Sequence, residues 1–230
     1  MIVANGLNKA YGKNAFLNDI SVNVGAGSAL AVAGGNGAGK TTLLKILATA
    51  SAPDAGSLTI GGIDALKNPK RAREHIGYVP QGIALMGELS VHDNLRYWMK
   101  SADMEAYEQT LHMIGLKDVE GKKVKALSGG MQRRLNLGAS LVLRPRVLIL
   151  DEPLAGVDSD NRARLIRELI RIKQAGTAMV FTSHYADEMR FLADSMLVLQ
   201  DGRCVYQGKP KNTAAQINAA DQNKGDQDGQ

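Results

Sequence analysis

No stretch constrains the fold of this chain more than Gly34-Gly35-Asn36-Gly37-Ala38-Gly39-Lys40-Thr41-Thr42. Its spacing fits G-x-x-x-x-G-K-[ST], a loop suited to holding phosphate. Glycines let successive backbone N–H groups turn inward toward an anion, in conformations other residues disfavour. Lys40 brings a mobile point charge to the β- and γ-phosphates, and the Thr41 hydroxyl is suited to ligate Mg²⁺. The loop needs a buried strand leading in and a helix leading out, whose N-terminal partial charge adds to the site. Ala29-Leu30-Ala31-Val32-Ala33 reads as that strand, and Thr42-Leu43-Leu44-Lys45-Ile46-Leu47 as that helix. The pattern implies an α/β fold and a bound nucleoside triphosphate.

Such a loop works with an acid on a second strand. Leu148-Ile149-Leu150-Asp151-Glu152 has the apolar run of a buried strand and two acids at its C-terminal end, where open α/β sheets bind ligands. Asp151 would hold Mg²⁺, directly or through water. Glu152 would orient and polarise the attacking water. Leu127-Ser128-Gly129-Gly130 opens a further helix. Its accessible N–H groups and the Ser128 hydroxyl suit a second anion, or Ser128 is a plain N-cap.

Around these signals the chain alternates in type. Residues 2–7, 20–24, 57–60, 76–79, 147–150, 178–182, 196–199 and 205–206 read as strands, and 162–172 and 187–192 as helices. Alternating strands and helices predict a mostly parallel sheet covered on both faces. From 82 to about 144 the character changes to apolar residues at helical spacing, over 91–99, 104–114 and 127–143, a helical insertion in the α/β core. Residues 221–230 carry no apolar side chain and read as a disordered tail.

Composition narrows the classes. Of 230 residues 44% are hydrophobic, enough to bury a sizeable core. The net charge of +5 suits anionic nucleotides and a cytoplasmic membrane face, although without a run of five basic residues most such balances are only an ordinary solvated surface. Cys204 is the one cysteine, which excludes an intrachain disulfide and suits a reducing cytosol. The N-terminus lacks a basic region followed by an apolar run, so no signal peptide is expected. No segment approaches the roughly 20 apolar residues of a membrane helix, so any link to a membrane must run through a partner.

Leu127-Ser128-Gly129-Gly130-Met131-Gln132-Arg133-Arg134 resembles the signature sequence of ATP-binding cassette (ABC) ATPases, in its expected place upstream of Asp151 and Glu152. Tyr11, the 34–42 loop, Gln81, Ser128-Gly129-Gly130, Asp151-Glu152 and His184 match that family in order, and Gly156-Val157-Asp158 resembles its dimer-contact loop. The match spans nearly the whole chain. It implies a single ABC ATPase domain over 1–220: a P-loop NTPase core with a mostly parallel sheet, an N-terminal antiparallel β subdomain and the inserted helical subdomain.

The resemblance also implies a mechanism. Two such domains pack head to tail with two ATP molecules between them. Ser128, Gly129 and Gly130 of one subunit cap the γ-phosphate held by Gly34, Asn36, Gly37, Ala38, Gly39, Lys40, Thr41 and Thr42 of the other. Tyr11 stacks on adenine, and Asp158 joins the nucleotide contacts. Gln81 touches Mg²⁺ or the attacking water, with Thr41 and Asp151 as the other metal ligands. Glu152, His184, Lys40 and Gln81 carry the hydrolysis. Met131 stands where the signature usually has glutamine, which weakens a ribose contact, and Gly35 stands where proline is common. Neither change removes a catalytic group.

The implied machine is a transporter whose membrane-spanning permease subunits are separate chains, with this chain peripheral on the cytoplasmic face. The partner is a second copy or a paralogous nucleotide-binding domain, and no direct nucleic-acid partner is expected. Apolar and aromatic residues of 82–99, including Tyr97 and Trp98, either form the groove for a permease helix or pack the insertion. The single short cassette resembles the drug- and lipid-exporter subfamily, so export is expected. The alternative is a soluble ABC ATPase acting on ribosomes, DNA or a membrane-protein regulator.

Overall fold

The computed structural model describes residues 1–11, 14–99 and 103–210, without the side chains of residues 11, 14, 15 and 186. The expected tail at 221–230 and the end of the expected domain at 220 lie outside these residues. In chain order the elements are β1 (Ile2–Tyr11), β2 (Asn14–Val24), β3 (Ala29–Gly34), α1 (Lys40–Leu47), β4 (Ala55–Ile60), β5 (Ile63–Asp64), α2 (Pro69–Arg73) and β6 (Ile76–Val79). There follow α3 (Val91–Trp98), α4 (Met104–Ile114), α5 (Gly129–Leu141), β7 (Val147–Asp151), α6 (Ser159–Gln174), β8 (Ala178–Thr182), α7 (Ala186–Leu192), β9 (Ser195–Gln200) and β10 (Arg203–Gly208).

Two sheets form. The antiparallel one runs β2-β1-β4-β5, and the larger one runs β10-β9-β3-β8-β7-β6. All neighbours in the larger sheet are parallel except β9 and β10. Successive residues of its strands feed two different cores, as a two-residue side-chain period requires. Leu30, Val32, Val147, Ile149, Val180, Leu197 and Leu199 face a core shared with α1 and the antiparallel sheet. Ala29, Ala31, Leu148, Leu150, Met179, Phe181, Met196 and Val198 face a core shared with α6 and α7. Helix α1 is thus clamped between the sheets by Leu43, Leu44, Ile46 and Leu47, each fully buried. Burial of that kind stabilises by about 1.5–3 kcal/mol per side chain and holds the phosphate loop in place.

Helices α3, α4 and α5 gather a third core around Val91, Leu95, Tyr107, Leu111, Ile114 and Leu135. Further along α5, Leu137 and Leu141 belong instead to the core of the large sheet. One helix therefore joins the helical part to the α/β part.

The structure departs from the sequence expectations at several boundaries. The polar stretch from Asn8 continues β1 to Tyr11, and β2 begins well before residue 20, because backbone pairing carries through bulges between Ala4 and Ala10. Between the strands expected at 57–60 and 76–79, where no helix is expected, a short one starts on Pro69, the first helical position where proline costs nothing. Helix α5 starts at Gly129 and not at 127, because Ser128 is extended and caps it. Helix α1 starts at Lys40, two residues before expectation, which puts Lys40 and Thr41 in its first turn.

Candidate active site

Strands β3, β6, β7 and β8 run parallel, so their C-terminal ends meet at one edge of the sheet. The loop after β3, Gln81 after β6, Glu152 after β7 and His184 after β8 all leave from that edge. Topology thus gathers residues that lie up to 150 positions apart in the chain.

The loop's glycines are demanded by geometry. Gly34 ends β3 at φ 145, and a Cβ there would lie 2.3 Å from the Leu199 carbonyl oxygen. Gly39 caps α1 in the left-handed region at φ 101, and its Cβ would lie 2.5 Å from the Phe16 carbonyl oxygen. The Lys40 Nζ donates to the carbonyls of Gly34 at 2.7 Å and Gly35 at 2.9 Å, bracing the loop from within. A cavity of about 270 Å³ opens over it, lined by Phe16, Asn36, Gly37, Ala38, Gly39, Lys40, Thr41, Thr42, Gln81 and Glu152. The first N–H groups of α1 have no helical partner by construction, and they border this space.

The acids are set by a threonine. Asp151 is 2% exposed, and its Oδ1 accepts from the Thr182 hydroxyl at 2.7 Å. Thr182 Oγ1 in turn accepts from the Glu152 N–H at 3.0 Å. The other Asp151 oxygen, Oδ2, is buried without a protein partner. An orphaned buried carboxylate oxygen is costly unless something pairs with it, and a cation does so. The donor set of Asp151, Thr41 and Gln81 is all oxygen, as Mg²⁺ prefers. Burial, helped by the Asp151 charge, pushes the nearby Tyr78 phenol up to about 12.

Glu152 stands at φ 50, a left-handed turn that sends its carboxylate away from the strand direction. Its Oε1 accepts from Gln81 Nε2 at 3.3 Å and meets His184 Nε2 at 3.0 Å. A histidine tautomer with the proton on Nε2 donates to it. The Glu152 side chain is 18% exposed and that of His184 57%, so the acid is sheltered while the imidazole faces outward.

The structure brings Gln81, Glu152, His184, Asp151 and the loop together. It does not bring the 128–130 segment to them, since neither Ser128, Gly129 nor Gly130 lines the loop cavity. Ser128 Oγ accepts from the Met131 N–H at 3.3 Å, and Gly130 lies against Gly156, its Cβ position 3.1 Å from that carbonyl oxygen. Gln132 donates to the carbonyls of Val124 and Leu127, so it braces the turn before α5. Asp158 caps α6, with both oxygens on Asn161. Those bonds hold its carboxyl below the usual range. Tyr11 closes β1, and its side chain lies outside the described residues.

Sequence reasoning did not single out Thr182, Phe16 or Arg133. Thr182 is the last residue of β8, and its position directly before Ser183-His184 was the available signal. Arg133 Nη1 donates to the Gln81 carbonyl at 2.7 Å, tying α5 to the glutamine's backbone across 52 positions that no local pattern connects.

A second, larger cavity of about 730 Å³ lies away from this chemistry, between α2, α5 and the end of α3. Lys70, Arg73 and Glu74 line it on one side, and Tyr78, Ala84, Trp98 and Leu143 are among its apolar walls. Trp98 remains 40% exposed and Tyr97 65%, so neither is used to pack the helical core.

Comparison with known proteins gives the geometry its context. A family model described as ABC transporter matches residues 17–155. The linearmycin resistance ATP-binding protein LnrL of Bacillus subtilis is 33% identical over 94% of this chain and 72% of its own length. The daunorubicin resistance ATP-binding protein DrrA3 of Streptomyces coeruleorubidus is 36% identical over 90% of this chain and 67% of its own. Among solved structures, a dimeric post-hydrolysis state of the ATP-binding cassette MJ0796 bound to ADP and Pi superposes with a TM-score of 0.83. It is 24% identical and covers 92% of this chain and 100% of that one. With a phosphate loop, a strand-end acid pair and a separate glycine-opened helix on this fold, the chain belongs to the ABC transporter family, as its ATP-hydrolysing component.

Proposed function

We propose that the chain works as half of a head-to-tail dimer of nucleotide-binding domains that powers export through separate membrane subunits. One observation carries this reading: the chain has two anion-suited helix starts, at Lys40 and at Gly129, and only the first borders the cavity holding Glu152. A second copy, or a paralogue, would bring its Ser128, Gly129 and Gly130 to the nucleotide over the loop, with Asp158 near the junction. ATP would then act as glue between the subunits.

Within each half, the 34–42 loop and Lys40 hold the β- and γ-phosphates, and Tyr11 stacks on the adenine. Thr41, Asp151 and Gln81 would hold Mg²⁺, which when bound offsets phosphate charge and polarises the transferred phosphoryl group. Glu152 accepts the proton of the attacking water. His184 and Gln81 orient its carboxylate through Oε1, and Thr182 fixes the turn that aims it. On this reading ATPase activity rises more than linearly with protein concentration at low concentration. Activity strictly linear down to dilute monomer would rule the dimer out.

The transport role is supported by the resistance-protein names of the relatives and by the open groove beside Trp98. No described helix is long and apolar enough to cross a membrane. A short amphipathic helix of a permease subunit would fit the groove and hold the chain at the inner face of the membrane. Affinity purification from membranes should then bring down a polytopic partner, and Trp98→Ala should weaken that association. Recovery with ribosomes or DNA instead would sink the transport reading.

A further inference from the structure

Arg162 stands where a helix disfavours it. Its own N–H closes the first turn of α6 on the Asp158 carbonyl, and a cation in that turn opposes the positive end of the helix dipole. What holds the side chain lies outside the helix. Its Nη2 donates to the Val157 carbonyl at 2.6 Å, and its guanidinium carbon lies 3.7 Å from the centroid of the Tyr185 ring. A planar guanidinium can stack on a ring face while its edge keeps a hydrogen bond, which an ammonium cannot do. These two contacts join the loop after β7 to the turn after β8.

Each end leads to one of the two anion-suited regions. On one side, Val157 follows Gly156, whose carbonyl oxygen lies 3.1 Å from the Cβ position of Gly130. Ser128, Gly129, Gly156 and Asp158 are exposed, so the start of α5 and this loop present adjoining surface. On the other side, Tyr185 follows His184. The Tyr185 N–H donates to the hydroxyl of buried Ser183 at 3.0 Å. His184 sits between these two residues and meets Glu152 Oε1 at 3.0 Å. We infer that Arg162 is a positioning residue, which ties the 156–158 loop to His184 and so steadies the histidine beside Glu152. On the dimer reading, on which this rests, the surface beside that loop receives the partner and the partner's ATP. Arg162 then links occupancy of one nucleotide site to the alignment of the other.

Neither Arg162 nor Tyr185 lines the cavity over the 34–42 loop, so breaking their contact should spare nucleotide binding. The rate should suffer instead, because a misplaced reacting group costs up to about 100-fold. At protein concentrations where wild-type activity per molecule has reached its plateau, Arg162→Met should lower kcat about tenfold. It should leave the KM for ATP within about twofold. Tyr185→Leu should show the same loss, and Tyr185→Phe, which keeps the ring face, should restore kcat.

The decisive comparison removes the group being positioned. In His184→Gln, adding Arg162→Met should cost no more than about twofold further, read as single-turnover release of labelled phosphate. The ring resonances of His184, assigned by their loss in His184→Gln, should shift in Arg162→Met while those of His75, His92 and His112 stay in place. Losses of equal size with and without His184, or an unmoved His184 resonance, overturn the proposal. Wild-type activity strictly linear in protein concentration would instead overturn the dimer, whatever the variants show.

Discussion

Glu152→Gln should keep ATP bound and lower turnover at least about 100-fold, the scale of a removed general base. Glutamine has nearly the same shape, and its carbonyl oxygen still accepts from Gln81 and His184, the two contacts Glu152 Oε1 makes. What it lacks is the ability to take a proton. It also removes a negative charge facing the loop, so the ATP-bound state should accumulate as a dimer. Phosphate release measures the first effect, and size-exclusion chromatography with and without ATP measures the second. Near-normal hydrolysis would place the water-activating group elsewhere.

The second large effect belongs to a glycine. Gly39→Ala should lower stability by about 2–5 kcal/mol, combining a left-handed backbone penalty with steric overlap. The overlap is with backbone, the Phe16 carbonyl 2.5 Å from the new Cβ, which cannot swing aside as a side-chain end could. For a chain of this size the loss corresponds to a fall of roughly 10 °C in Tm. Nucleotide affinity should fall with it, because the same backbone aims the N–H groups at the phosphates. Gly37→Ala is the internal control: its φ is 78, but nothing lies within 4 Å of the added carbon. It should cost only the backbone penalty. Equal thermal shifts in the two variants would mean that the contact with Phe16 is relieved by a backbone shift.

Much of the site is legible locally. The loop is a contiguous run of glycines ending in lysine and threonine, and each residue's role follows from its neighbours in sequence. Asp151 and Glu152 are legible because an apolar run ends in two acids. The helical part was visible as a change of period, but not the fact that α5 is shared, with Leu135 in one core and Leu137 in another. Residue pattern understates strand length wherever pairing, and not hydrophobicity, carries the strand, as in the polar half of β1.

The chain's sequence by itself determined the fold class and the family, because these rest on motifs of residue type read in order along the chain. Tertiary structure decided the rest. The parallel order β3-β8-β7-β6 brings the loop, Thr182, Glu152 and Gln81 to one edge. Thr182 holds both acids, Arg133 ties α5 to Gln81, and Arg162 joins Val157 to Tyr185. None of these is visible along the chain, because hydrogen bonding and desolvation act on groups close in space, whatever their separation in sequence.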